Sequence, residues 1–202
     1  MAEEKKLAVE IEGIRPLLMK NGRLADPEDF FAKQINAINV KKQKDITPEE
    51  RLERDWLEYQ GSVYWSEELG LHIPSDNIER CIQLGAQKSM KGKTVQSCVF
   101  CTEPFIKLLY KGPRTVKELY DHVEFAHRVY LLRKAVVIKK SRVFKVRPMI
   151  PTGWRLEFEL WYDETIIGRE ELKKALINAG ALIGLGDWRP KFGRFKCKFP
   201  EK

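Results

Sequence analysis

The feature that most constrains the fold is a run of strict alternation late in the chain. Between Trp154 and Tyr162 a large apolar side chain occupies every second position, and charged side chains fill most positions between them. This period of two predicts a β-strand with one buried and one exposed face. Similar alternation predicts strands at Leu7–Ile14 and at Phe195–Phe199.

Helix start signals punctuate the first half of the chain. Asp26 followed by Pro27 predicts an N-cap and a first helical residue, and Thr47 with Glu50 predicts a capping box for a second helix. This second helix is acidic over residues 49–58, and we expect it to face away from any phosphate backbone. Its apolar stripe is predicted to be Leu52, Trp56 and Tyr59.

Helical spacing also recurs later in the chain. Ser75 is predicted to cap a third helix, Thr115-x-x-Glu118 begins a short one, and Glu170–Asn178 is amphipathic with Gly180 as its C-cap. Between these helices we predict extended segments, which are Val95–Phe100, Phe105–Tyr110 and Val129–Ile150 with a hairpin tip at Lys139–Arg142.

The order of elements is strand, helix, strand region, strand, helix, strand. This order predicts an α+β fold with a ferredoxin-like (RRM-like) antiparallel sheet. The length of the chain predicts one domain over residues 1–202. We predict a helical insertion after the first strand, over about residues 15–70, and a β-hairpin insertion over about residues 111–151.

Composition narrows the class of protein. The 37 Lys and Arg residues exceed the 29 Asp and Glu residues, which gives a net charge of +8. The apolar runs are too short for a membrane span, and the N-terminus lacks the apolar core of a signal peptide. Four cysteines do not make a disulfide scaffold. We therefore expect a cytoplasmic protein with no membrane contact, and the basic balance favours a nucleic-acid partner.

A basic stretch carries the strongest charge asymmetry. No acidic residue occurs from Phe125 to Arg155, and the aromatic residues Tyr130 and Phe144 interleave with the cations. Cations release counterions from phosphates and aromatic rings stack on bases, so this pattern predicts contact with single-stranded nucleic acid. A solvated hairpin is the alternative interpretation. The candidate contacts here are Arg133, Lys139, Lys140, Arg142 and Lys145.

A glycine-bearing loop is the second candidate. Gly184, Gly186 and Gly193 would allow a ligand to approach the backbone closely. The spacing matches neither a dinucleotide fingerprint nor a Walker loop, and a plain turn is the alternative. The other candidate contacts in this loop are Trp188, Arg189, Lys191 and Arg194.

The order of elements and this loop resemble the RAMP superfamily of CRISPR-associated RNA-binding proteins. The resemblance is closest to the subunit that coats the guide RNA in multi-subunit CRISPR effectors. It is carried by the Gly-x-Gly-x6-Gly loop, by Ile73–Ile78 at the start of a helix, and by Ile11–Ile14 followed by Pro16. The chain departs from the family in its short length, in Pro190, and in lacking a second ferredoxin unit.

The resemblance implies roles for the candidate residues. The loop glycines would admit RNA phosphates and the loop cations would neutralise them. Lys88, Lys91 and Lys93 would lie beside the first core helix on the RNA-facing side. The hairpin around Lys139–Arg142 would correspond to a protruding thumb. Other copies of the chain or other RAMP-type subunits would line up along RNA or single-stranded DNA.

Cysteines and histidines leave an enzymatic alternative open. Cys98-x-x-Cys101 is half of a zinc site, but no second pair has matching spacing, so we expect no metal and no cofactor. His72, His122 and His127 could serve as acid and base in metal-independent RNA cleavage. We assign no catalytic residue. The alternatives to RNA binding are a RAMP-type endoribonuclease and an interaction protein that caps a nucleoprotein assembly.

Overall fold

The computed structural model describes residues 4–42, 44–125, 127–138 and 141–200. The chain divides into two compact units. The first unit comprises Met1–Leu18, Ser66–Lys111 and Pro151–Lys202, and the second comprises Met19–Trp65 and Gly112–Ile150. The two segments of the second unit lie within the stretches that the sequence analysis treats as insertions.

Helices and antiparallel sheets are mixed along the chain, which is compatible with an α+β class. The helices are α1 (Phe30–Asn39), α2 (Pro48–Ser62), α3 (Ser75–Gln87), α4 (Gly92–Cys98), α5 (Val116–Asp121) and α6 (Arg169–Asn178), with a 3-10 turn at Gly22–Ala25 and a π-helical turn at Ala179–Ile183. The strands are β1 (Glu4–Gly13), β2 (Leu17–Leu18), β3 (Trp65–Ser66), β4 (Gly70–Pro74), β5 (Val99–Cys101), β6 (Phe105–Lys107), β7 (Val123–Glu124), β8 (His127–Arg128), β9 (Leu131–Ile138), β10 (Ser141–Ile150), β11 (Arg155–Asp163) and β12 (Phe195–Lys198).

A four-stranded antiparallel sheet organises the first unit. The strand order is β12-β1-β11-β5, and Leu7 of β1 lies opposite Leu160 of β11. Alternation turns the apolar side chains of β1 and β11 to one buried face, as the sequence predicts. In chain order, α3 falls between β1 and β5, and α6 falls between β11 and β12.

Helices α3 and α6 pack closely against each other. A Cβ on Gly85 of α3 would meet the backbone of Ala175 and Ala179, so a glycine is needed at this crossing. Cys81 of α3 is buried four residues earlier, and its thiol donates to the carbonyl of Gly184 at 3.2 Å. The middle of α3 therefore lies beside the first glycine of the loop.

Several predicted elements in the first unit differ from the structure. The predicted strand Val95–Phe100 is mostly helix α4, because Val95 and Cys98 are buried at helical rather than alternating spacing. Pro74, not Ser75, is the N-cap of α3. Gly180 lies inside the π-helical turn, and Gly184, with φ +82°, terminates it instead. The second predicted strand, Phe105–Tyr110, is shortened to β6.

The second unit combines α1, α2 and α5 with the β9–β10 hairpin. The capping box predicted at Thr47 and Glu50 is confirmed at the start of α2. Asp29 caps α1, whereas the predicted cap, Asp26, accepts the N–H of Glu28 within a turn. The hairpin strands pair from Ser141 opposite Ile138 onward.

Buried aromatic residues hold α2 within this unit. Tyr59 is fully buried, and its hydroxyl donates to the carbonyl of Tyr130 at 3.1 Å. The rings of Trp56 and Tyr120 meet edge to face at 4.7 Å between centroids. Leu52, predicted for the apolar stripe of this helix, is instead 63% exposed. Across the residues described, no helix has the length and apolar character needed to cross a membrane.

Candidate nucleic-acid interface

Two acidic side chains of α2 are turned into the second unit, towards the basic hairpin. Asp55 and Glu58 are three residues apart, so they share one face of the helix. Asp55 Oδ2 lies 2.8 Å from Arg133 Nε, and Glu58 Oε1 lies 3.2 Å from Lys145 Nζ. Two of the predicted phosphate contacts, Arg133 and Lys145, are therefore paired with carboxylates of the same unit.

Another predicted phosphate contact lies near the tip of the hairpin. Arg142 is exposed and has no ion pair among the described residues. The guanidinium of Arg133 also stacks over the ring of Phe144, with its Cζ 4.3 Å from the ring centroid. Lys139 and Lys140, the other predicted contacts at the hairpin tip, lie outside the described residues.

Three predicted lysines follow α3. Lys88, Lys91 and Lys93 are all exposed. Lys91 Nζ lies 3.6 Å from Glu171 Oε1 at the start of α6, so its charge is partly neutralised. Cys81, at the middle of α3, contacts the glycine loop, whereas Lys88 is the C-cap of this helix, about 10 Å further along its axis. Lys91 is the N-cap of α4 and Lys93 lies in its first turn.

The glycine loop folds back on its own backbone. Gly184, Gly186 and Gly193 have φ values of +82°, +82° and +71°. The N–H of Leu185 donates to the carbonyl of Gly193 at 2.8 Å. A Cβ on Gly186 would overlap the carbonyl oxygen of Leu18, and one on Gly193 would overlap that of Leu185. The chain's own packing therefore accounts for these glycines without a ligand.

The cations on this loop lack acidic partners. Arg189 and Lys191 are exposed, and among the described residues neither has an ion pair or a hydrogen bond to a carboxylate. The Nε of Arg194 is buried with no hydrogen-bond partner among those residues. Burial raises the pKa of the Cys81 thiol to about 12, although the nearby positive charge of Arg189 acts in the opposite direction.

Arg15, which was not among the predicted contacts, lies beside the glycine loop. The N–H of Arg15 donates to the carbonyl of Arg194 at 3.2 Å, and the indole N–H of Trp154 donates to the carbonyl of Arg15 at 2.9 Å. Arg15 is exposed and has no ion pair among the described residues. Its position after the first strand carried no local sign of this contact, because the loop lies far away in sequence.

Trp188 is held within the loop rather than in the core. It has a φ of +50°, its N–H contacts the Asp187 side chain at 3.0 Å, and its ring lies 6.3 Å from that of Phe192. The ring is half-buried. We define the loop cluster as Arg15, Trp188, Arg189, Lys191 and Arg194.

The open face of the four-stranded sheet has a different character. Glu159 pairs with Lys6 at 2.9 Å, and Glu10 pairs with Lys198 at 3.2 Å. The charged residues on this face are Glu4, Lys6, Glu10, Glu12, Arg155, Glu157, Glu159, Asp163, Lys196 and Lys198. Acidic side chains outnumber basic ones there, so this face is poorly suited to a polyanion.

The cysteines and histidines do not form a metal centre in the part of the chain that the structure describes. Cys98 donates its thiol to the carbonyl of Thr94 at 3.0 Å, and burial raises the pKa of Cys101 to about 12. His72 contacts the carbonyl of Gly70 through Nδ1 at 3.1 Å, and His122 contacts Glu124 at 2.8 Å.

Comparison with known protein families and with curated proteins identifies no family for this chain, since no family model and no curated protein matches it. The loop cluster, with its unneutralised cations on a glycine-bearing loop, is the candidate functional site.

Proposed function

We propose that the protein binds single-stranded nucleic acid, RNA in particular, through the phosphate backbone. In this proposal it is a repeated subunit of a RAMP-type, CRISPR-effector-like ribonucleoprotein or filament. The observation that carries the proposal is the loop cluster. Its four cations have no acidic partner among the described residues. By contrast, Arg133 and Lys145 of the hairpin and Lys6 and Lys198 of the open sheet face are paired with carboxylates.

The form of the loop supports contact with a backbone rather than with particular bases. Arg189 and Lys191 project from a segment that is fixed by internal hydrogen bonds. Guanidinium and ammonium groups neutralise phosphates irrespective of sequence, and the half-buried ring of Trp188 could stack on a base. Binding of this kind depends strongly on salt and weakly on sequence.

The strand order supports a ferredoxin-like assignment for the first unit. The order β12-β1-β11-β5, with a helix before β5 and another before β12, is the arrangement of a split β-α-β sheet. Such a sheet is a frequent scaffold for RNA binding. In RRM domains aromatic residues of the sheet itself stack on bases. Here we propose the loop instead, because acidic side chains outnumber basic ones on the open sheet face.

The test is a salt titration of binding to a fluorescein-labelled single-stranded oligoribonucleotide, followed by anisotropy. The Arg189→Glu/Lys191→Glu variant should weaken binding strongly. It should also lower the slope of log K against log salt concentration by about 1.4, because each lost phosphate contact on a single strand contributes about 0.7.

A control of equal charge change is Lys107→Glu/Lys174→Glu. Both lysines are exposed, belong to the first unit and have no ion pair among the described residues. This variant should retain most of the affinity and the slope. Equal losses in the two double variants would overturn the loop assignment. Binding of a DNA strand of the same sequence would compare the two nucleic acids.

Two other outcomes would redirect the proposal. Cleavage of the oligonucleotide with EDTA present would favour the endoribonuclease. A wild-type protein with no salt-dependent affinity for either strand, but a stable complex with other proteins, would favour the interaction protein.

A further inference from the structure

A pocket within the second unit is lined by three arginines. Its volume is about 470 Å³, within the range of small-molecule sites. Arg51 comes from α2, Arg128 from β8 and Arg133 from β9. Arginines from three different elements therefore line the same pocket.

Positive side chains outnumber negative ones in the lining of the pocket. Among the described residues that line it, Asp55 is the one carboxylate, and its oxygens are shared between Arg133 at 2.8 Å and Arg54 at 3.4 Å. Arg128 lies over the ring of Tyr120, with its Cζ 4.3 Å from the centroid, and has no ion pair among the described residues. The stacked guanidinium is held in place while its N–H groups remain able to donate. Arg128 is therefore the cation of this lining that can take an anion.

The remaining wall is apolar. Leu52, Leu131 and Val146 line the pocket together with the ring of Tyr120. Leu52 is 63% exposed, although it lies on a helix whose other apolar residues are mainly buried. An apolar wall beside guanidinium groups fits a ligand that joins a flat ring to an anion, because the two parts require different surroundings.

We propose that this pocket binds a nucleoside monophosphate, with the phosphate at Arg128 and the base against Leu52 and Leu131. The nucleotide could be free in solution or could be the 5′-phosphorylated end of a strand. The proposal does not depend on strand binding by the loop cluster, because it concerns a different unit and a monomeric ligand.

The experiment is calorimetric titration of the full chain with adenosine 5′-monophosphate, adenosine and inorganic phosphate. We expect the nucleotide to bind at least about tenfold more tightly than either part alone, since both halves of the pocket contribute. The Arg128→Gln variant should weaken nucleotide binding about tenfold or more, because a hydrogen bond to a charged group is lost.

The matched control is Lys33→Gln, which removes one exposed positive charge of the same unit outside the pocket. It should leave nucleotide affinity unchanged, and circular dichroism should show that all variants remain folded. Absence of nucleotide binding, equal binding of inorganic phosphate, or equal loss in the control would overturn the proposal.

Competition identifies the source of the nucleotide. A short oligonucleotide with a 5′ phosphate would displace the bound nucleotide if the pocket takes strand ends, and the 5′-hydroxyl form would not. Failure of both forms to compete would support the free nucleotide. The Arg189→Glu/Lys191→Glu variant should bind the mononucleotide normally, which separates this proposal from the loop cluster.

Discussion

The carboxylate of Glu58 lies 2.9 Å from the guanidinium of Arg147, and only 7% and 6% of the two side chains is exposed. The second carboxylate oxygen accepts the N–H of Val146 at 3.3 Å. This pair ties α2 to β10 within the second unit. Both charges have left water and compensate each other, and Lys145 adds a second positive charge beside Glu58.

Replacing Glu58 should therefore destabilise the protein. Glu58→Gln removes the buried carboxylate that pairs with Arg147, and we expect the free energy of unfolding to fall by about 3 kcal/mol. Urea denaturation followed by circular dichroism measures this. The control, Glu53→Gln, changes an exposed acid of the same helix and should stay within about 0.5 kcal/mol of wild type. Similar losses in both variants would contradict the role of the buried pair.

Alanine substitutions at two glycines with positive φ should show separately the cost of backbone strain and the cost of steric overlap. A Cβ on Gly153 would meet open space at φ +86°, so Gly153→Ala should cost about 1–2 kcal/mol. At Gly193 the Cβ would also overlap the carbonyl oxygen of Leu185, and Gly193→Ala should cost about 3 kcal/mol or more. Urea denaturation of both variants compares them. A Gly193 variant as stable as the Gly153 variant would show that the loop relaxes.

Thiol reactivity should report the burial of three cysteines. Burial raises the pKa of Cys81, Cys101 and Cys197 to about 12. Since the thiolate is the nucleophile, these residues should react slowly with a disulfide reagent at pH 8 and rapidly in urea. The same burial makes stability depend on pH. Between pH 9 and 12 the thiol of Cys81 loses its proton in the unfolded chain but keeps it in the folded protein, so the free energy of unfolding should fall as pH rises through this range. Rapid labelling of the native protein would contradict this burial.

Two hairpin arginines should respond differently to the same change. Arg142 is exposed without an ion pair among the described residues, so Arg142→Gln should leave stability nearly unchanged. If the hairpin touches RNA, this variant should lower the salt slope by about 0.7. Arg133→Gln should instead cost about 1–2 kcal/mol of stability, because Asp55 loses its closest partner. Salt titration and urea denaturation of both variants test this division, and a reversed pattern would refute it.

Local signals predicted much of the secondary structure. The capping box at Thr47, the helix start at Thr115 and the alternation in β11 are confirmed, because each depends on residues only two or three positions apart. The prediction was wrong at Val95–Phe100, where a short apolar run is compatible with either a strand or a helix. Packing of Val95 and Cys98 in the first unit selects the helix.

By itself, the sequence determined the positions of the loop glycines, the excess of positive charge and the main helices and strands. Only the tertiary structure decided which charges are neutralised. Glu58 and Arg147 are 89 residues apart, and the indole of Trp154 bonds to Arg15 139 residues away. The partner of a charged side chain depends on which strands and helices pack together. A short-range sequence pattern does not predict such long-range packing. Only the tertiary structure therefore shows that the cations of the loop cluster have no carboxylate partner among the described residues.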